Sequence, residues 1–332
     1  MRRCLTIGAA LAATLLSPPA MASPSAEAQA YLMKAIAILR EHHRNSARVD
    51  WSAVTAEALK LADDAKTTAD TYPAIKSVLV ALKERHSFLI GPNGVNLSKA
   101  PAPGAKAPAG PPPQMMPTWR VVDKRFGEVV LPGLNTLGKE GEARGDAYRA
   151  TLRTGLQTMD KAKLCGWIVD LRPDTGGNMW PMLDGLDPLL GKAPFGFFVT
   201  TGQKPAGWQR QPGGGTMPAD TPPAMLAPAF GLSHERAPVA VLLGPKTASS
   251  GEMVALAFIG RDGVRTFGNP TAGYTSANKP YTLLDGAVLV VTETGVADRT
   301  GRDYSGPIAP DEMLADDAVE ARAETWLSAQ CK

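Results

Sequence analysis

The chain carries little cysteine and no metal-binding arrangement of it. Its three cysteines, Cys4, Cys165 and Cys331 in 332 residues, do not stand at the spacing of a zinc or thiolate site. Neither sign of charge dominates: 35 Lys and Arg against 32 Asp and Glu leave a net +3, which offers nucleic acid or an anionic membrane no basic surface. No run approaches the ~18 apolar residues of a spanning helix, so no stable membrane insertion is expected. No internal repeat of the solenoid kind occurs either.

What is present begins with two arginines, an apolar segment from Leu5 to Leu16, and small residues at Ala20 and Ala22. Residues 1–22 therefore read as a secretory leader cleaved after Ala22, and the mature protein as exported, periplasmic or secreted. In that oxidising compartment Cys165 and Cys331 can pair, but Cys165 opens an apolar run and reads as a buried small hydrophobe. Residues 23–98 place Tyr31, Ile36 and Leu39 at helical spacing and predict a helical subdomain of three helices. Its breaks fall near 45–49 and 67–72, and His86 closes the third helix. Seven prolines between Pro101 and Pro117 make residues 99–117 a linker or loop. Residues 118–332 predict an α/β core. It opens with two strands around 125–127 and a helix over 138–163; later come a Gly- and Pro-rich surface excursion over 201–236, a hairpin at Asp285-Gly286 and a last helix over 314–327.

Two stretches of that core share one grammar. Pro238 to Glu252, PVAVLLGPKTASSGE, reads as strand, turn and helix, and CGWIVDLRPDTGG leads likewise into a helix over 178–190 interrupted by Pro181. Two such units argue for a layered fold with a mainly parallel sheet. Ser249 or Ser250 at the first turn either caps a helix or presents a nucleophile beside unpaired backbone N–H groups.

Taken in order, DLRPDTGG, GPKTASSGE and FGNPTAG resemble the tail-specific or C-terminal processing serine peptidase family, which includes the tricorn core and retinoid-binding relatives. The likeness runs from Gly166 to Glu312, with a weaker match at His86. It implies a crotonase/ClpP-like core sheet with flanking helices, serine-type peptide hydrolysis, a peptide or unfolded protein as substrate, and no metal or organic cofactor. It makes Ser249 the nucleophile and gives the oxyanion the backbone N–H groups of Gly177 and Ser250. Glu252 either supports the base or completes a capping box.

Members with a Ser-Lys dyad carry lysine where this chain has Tyr274, and Lys279 does not match. Tricorn-like members take a histidine from an upstream helical segment. His86 in RHSFL resembles it, its other reading being a solvated helix end; His42, His43 and His234 match nothing and read as surface residues. Asp303 is the nearest candidate for the acid that orients the histidine. Ser87 to Met116 is too short for a PDZ domain. The alternatives are a non-catalytic ligand-binding protein on the same fold, or an esterase-type acyl hydrolase, although no Gly-x-Ser-x-Gly elbow occurs.

Overall fold

A computed structural model describes residues 23–98, 113–210, 216–218 and 230–331. The leader expected at 1–22, most of the proline-rich 99–117 and the glycines at 213–215 lie outside the described residues. Two five-residue apolar runs, β4 (Gly166–Asp170) and β8 (Val239–Leu243), are buried along their whole length. They pair in parallel, Val169 opposite Val241, at the centre of a six-stranded sheet. Beyond β8 lie β9 (Val264–Gly268) and the short β13 (Glu312–Met313), both parallel to it. On the other side β3 (Phe126–Val130) is parallel to β4, and β2 (Thr118–Val122) closes the edge as the antiparallel arm of a hairpin. Parallel strands buried on both faces need covering layers, and alternation along each strand supplies two apolar surfaces. Trp167, Val169, Val239 and Val241 face a core shared with α4 (Gly141–Asp160), α5 (Met179–Leu190) and α6 (Ser250–Phe258). Ile168, Ala240 and Leu242 face α7 (Val319–Gln330) through Val319, Ala323 and Leu327.

The N-terminal segment folds as α1 (Ala26–His42), α2 (Trp51–Leu61) and α3 (Tyr72–Ala81), with single 3₁₀ turns at the two expected breaks. These helices do not close a core by themselves. Leu283, Leu289 and Val291 complete it, from the hairpin of β10 (Ser276–Thr282) and β11 (Val288–Ala297). Tyr31 and Tyr72 both donate to Asp285 at the hairpin turn, and β1 (Phe88–Ile90) pairs antiparallel with β11. The second sheet continues through β5 (Phe197–Val199), β6 (Ala206–Arg210) and β7 (Thr216–Pro218), while β12 (Asp303–Tyr304) pairs with β11. The α/β core sheet with flanking helices is the one expected, and the second sheet adds to it.

Several local expectations change. α3 stops at Ala81, and Lys83 at φ 53° turns the chain, so His86 lies in the loop to β1 rather than closing the helix. Pro181 does not interrupt α5, because it falls in the first turn, where backbone N–H groups have no intrahelical acceptor. The 201–236 region is partly sheet: β6 buries Trp208, Gln209 and Arg210. At the hairpin turn Gly286 alone takes positive φ, 84°, and Leu283 accepts from its N–H across a four-residue turn. The last helix begins at Val319, since Glu312–Met313 pairs with β9 instead. Cys165 and Cys331 are disulfide-bonded, their Cα atoms 5.8 Å apart, because α7 packs along the sheet and ends beside the start of β4.

Candidate active site

The serine turn follows β8. Thr247 ties it to the neighbouring strand, its hydroxyl donating to Leu171 O at 2.8 Å and accepting from Gly244 N at 3.0 Å. Ser249 then takes φ 52° and ψ −115°, a conformation that costs a non-glycine residue about 1–3 kcal/mol. Its N–H donates to Glu252 Oε2 at 2.8 Å, half of a capping box. Glu252 is fully buried and also accepts from Gly273 N at 2.7 Å, Tyr274 N at 2.8 Å and the Thr271 hydroxyl. Burial pushes its carboxyl upward against those hydrogen bonds.

His86 reaches this serine from 163 residues away, its Nε2 lying 2.8 Å from Ser249 Oγ. Its Nδ1 lies 2.7 Å from the hydroxyl of Ser276 at the start of β10. The ring is buried, and burial pushes its pKa down to about 4 against the charge of Glu84. It is therefore neutral at physiological pH, with one nitrogen free to accept a proton. Its backbone is pinned at both ends: Glu84 Oε2 accepts from His86 N at 2.6 Å, and Asn278 Nδ2 donates to His86 O at 2.8 Å. The Tyr274 ring sits 5.1 Å from the imidazole, centroid to centroid.

The glycine turn after β4 meets the serine turn edge on. Gly176 and Gly177 take φ 97° and 122°. A Cβ on Gly176 would come 2.8 Å from Ser249 Cβ, and one on Gly177 would overlap the Leu134 carbonyl, so neither position admits a side chain. Ser250 Oγ donates to Gly177 O at 2.7 Å and locks the two turns together. The Ser250 N–H lies in the first turn of α6, where backbone donors have no intrahelical acceptor. The preceding Asp170-Leu171-Arg172 is a clamp: the Arg172 guanidinium holds both oxygens of Asp170 at 2.9 and 2.6 Å and reaches Glu320 of α7 at 2.6 Å.

The chain and the fold that carry these turns have counterparts among known proteins. Residues 127–314 match the model of peptidase family S41. This chain belongs to that family. A nisin-resistance protein from Lactococcus lactis subsp. lactis is 28% identical over 293 residues, 85% of this chain and 81% of that protein. A lipoprotein structure from Streptococcus agalactiae superposes with a TM-score of 0.72 at 23% identity, over 96% of this chain and all of that one. The photosystem II D1 C-terminal processing protease superposes with a TM-score of 0.55 at 15% identity, over 88% of this chain and 94% of that one. The protein is accordingly a serine-type peptidase.

In this S41 peptidase Ser249, His86, Gly177, Ser250 and Glu252 come together, and Asp303 does not. Asp303 is exposed on β12, paired with Ala297, and the imidazole Nδ1 is taken by Ser276 instead. Ser276 occupies the place that an acid was expected to fill. Asp311 is spent on β9, accepting from the Thr266 N–H and hydroxyl at 2.8 Å each. Lys279 points its ammonium over the Tyr281 ring at 5.4 Å. His43 is buried rather than on the surface: its Nδ1 accepts from Asn45 N at 3.0 Å, so Nε2 carries the proton and donates to Glu84 at 3.2 Å. Ser276, Glu84 and Asn278 escaped sequence reasoning. Only Glu84, two residues before His86, left any local signal.

Proposed function

We propose that the protein is an exported S41 peptidase in which Ser249 is the nucleophile, His86 the general base, and the N–H groups of Gly177 and Ser250 the oxyanion hole. The observation that carries this reading is the 2.8 Å approach of His86 Nε2 to Ser249 Oγ, between residues 163 positions apart. Nε2 takes the hydroxyl proton as Oγ bonds to the peptide carbonyl carbon, and the carbonyl electron pair moves onto oxygen. Two backbone donors then hold the oxyanion, each contributing on the order of 3 kcal/mol. Collapse expels the amine, which leaves with the proton from Nε2. Water next gives a proton to Nε2 and adds to the acyl-enzyme; release of the acid returns that proton to Oγ. Ser276 Oγ accepts a hydrogen bond from Nδ1–H throughout, so the proton stays on Nδ1 and the tautomer stays fixed.

Export is supported by the leader pattern in residues 1–22 and by the Cys165–Cys331 disulfide, a bond that persists in oxidising compartments. Among the described residues no helix is long and apolar enough to cross a membrane. The name of the Lactococcus relative makes nisin the first substrate to try, beside an unstructured protein such as casein. The test is labelling of the leader-less protein with a fluorophosphonate, read by mass spectrometry, with Ser249→Ala as control. Modification confined to Ser249, and cleavage abolished in the variant, are the expected results. A folded protein that takes up no label and cuts neither substrate would overturn the assignment.

A further inference from the structure

Beneath the glycine turn lies a carboxyl group that the mechanism above does not use. Asp174 is completely buried. Its Oδ1 accepts from Gly176 N at 2.9 Å, and its backbone carbonyl accepts from Ala248 N at 2.9 Å, so the one residue braces both the glycine turn and the serine turn. Its Oδ2 has no hydrogen-bond partner among the described residues. From α6 it is faced by Gly251, where a Cβ would stand 2.8 Å from its Cγ. From α4 it is faced by Tyr148, whose hydroxyl is committed to Pro132 O at 2.6 Å. Among the described residues no cation offsets the burial of Asp174. A carboxylate in such a place would be a bare buried charge, whereas the carboxylic acid keeps the Gly176 bond and carries no charge.

We infer that Asp174 is a positioning residue that works as the neutral acid, and that its ionisation sets the alkaline limit of the enzyme. The neutral group holds Gly176, and through it the Gly177 N–H, in register with Ser249. An anion there would face the developing oxyanion across one turn and oppose it, and would strain the brace as water is drawn toward it. Burial pushes the carboxyl up to about 8, against the Gly176 hydrogen bond, so the change falls within reach of an ordinary pH profile. This inference rests on the reading of Ser249 and Gly177 as reacting groups; its first test does not.

That test is the infrared difference spectrum of the leader-less wild type minus Asp174→Asn, at pH values well below and well above the expected transition. A protonated-carboxyl C=O band present only at the lower pH is expected, and its absence there would overturn the inference whatever the enzyme does. The second test is the profile of kcat/KM. In the wild type kcat/KM should fall roughly tenfold per pH unit above the transition. Asp174→Leu should lose kcat about tenfold or more at neutral pH with KM little changed, because the Gly176 N–H loses its acceptor. Asp174→Asn should recover most of that loss and abolish the alkaline fall. An unchanged alkaline fall in Asp174→Asn, or an Asn variant that fails to fold, would sink the idea.

Discussion

His43 and Glu84 meet 3.2 Å apart beneath the loop that carries His86, and the hydrogen bonds of Glu84 hold that loop by its backbone. The two oxygens of Glu84 accept from the N–H groups of His86 and Ser87 at 2.6 and 2.8 Å, and His43, held in one tautomer by Asn45, closes the arrangement from α1's end. Burial by itself would raise the Glu84 carboxyl, yet the hydrogen bonds from His43, Ser87 and the His86 backbone hold it down to about 2. Thr292 on β11 adds a further donor, at 3.4 Å. The histidine is thus fixed to the N-terminal helices and to the β10–β11 hairpin at once.

The expected consequence is that Glu84→Ala misplaces the base. The loop loses its acceptor, and kcat should fall on the order of tenfold to a hundredfold through misalignment alone. Stability should drop by about 1–3 kcal/mol, for backbone donors left unpaired. Glu84→Gln keeps one good acceptor and should recover much of both. Denaturant melts beside steady-state kinetics would separate the two effects. A Glu84→Ala enzyme with wild-type kcat would show that the loop holds its shape without the carboxylate.

The depressed pKa of His86 gives a second prediction. Between about 4 and the ordinary histidine value of 6.5 the unfolded chain binds a proton at this position and the folded chain does not. Stability must therefore rise with pH through that window and be lost as pH falls through it. Activity should likewise persist at mildly acidic pH, with the acid limb of kcat/KM breaking near 4 and not near 6.5. An acid limb at 6.5, in a protein still folded at that pH, would mean that the imidazole titrates as an exposed group.

Ser276 and Asp303 are set apart by a paired substitution. Ser276 Oγ is the partner of His86 Nδ1, so Ser276→Ala leaves a buried N–H without an acceptor and allows the wrong tautomer. A loss of about tenfold to a hundredfold in kcat with little change in KM is expected, given the ~10²–10⁴-fold worth of a positioned base. Asp303→Asn, on an exposed strand end, should change kcat less than about twofold, as surface substitutions do. The opposite ranking would restore Asp303 as the acid.

How much of this was legible depends on whether a contact was local. The strand-turn-helix units around Gly166 and Val239, the parallel sheet they imply and the capping glutamate all follow from periodicity and turn chemistry within some fifteen residues, and they appear in the fold. The pairings with Ser276 and Asn278 depend on a hairpin that folds back onto the N-terminal helices, and no spacing encodes that. Tyr31 and Tyr72 look like ordinary helix residues until Asp285 arrives from the far end of the chain. The partner of the imidazole is equally non-local: no spacing marks Ser276 rather than Asp303 as the residue that reaches Nδ1. His43 reads as a surface residue in the sequence because its partner, Glu84, belongs to a different element.

The disulfide supplies a last prediction, because it lies at the opposite end of β4 from the reacting groups. Cys165 precedes the strand, whereas Asp170 and the glycine turn follow it. The bond closes a separation of 166 residues, and in the chain-entropy account such a loop contributes roughly 5 kcal/mol, measured bridges more often giving about 2–4 kcal/mol. Most of α7 stays anchored without it, through Val319, Ala323 and Leu327 on the sheet and through Glu320 on Arg172. Reduction, or a Cys165→Ala/Cys331→Ala double variant, should therefore lower the urea midpoint substantially while leaving kcat within about twofold below the transition. A large fall in kcat in the still-folded double variant would instead mean that β4 transmits strain from its start to the Gly176-Gly177 turn.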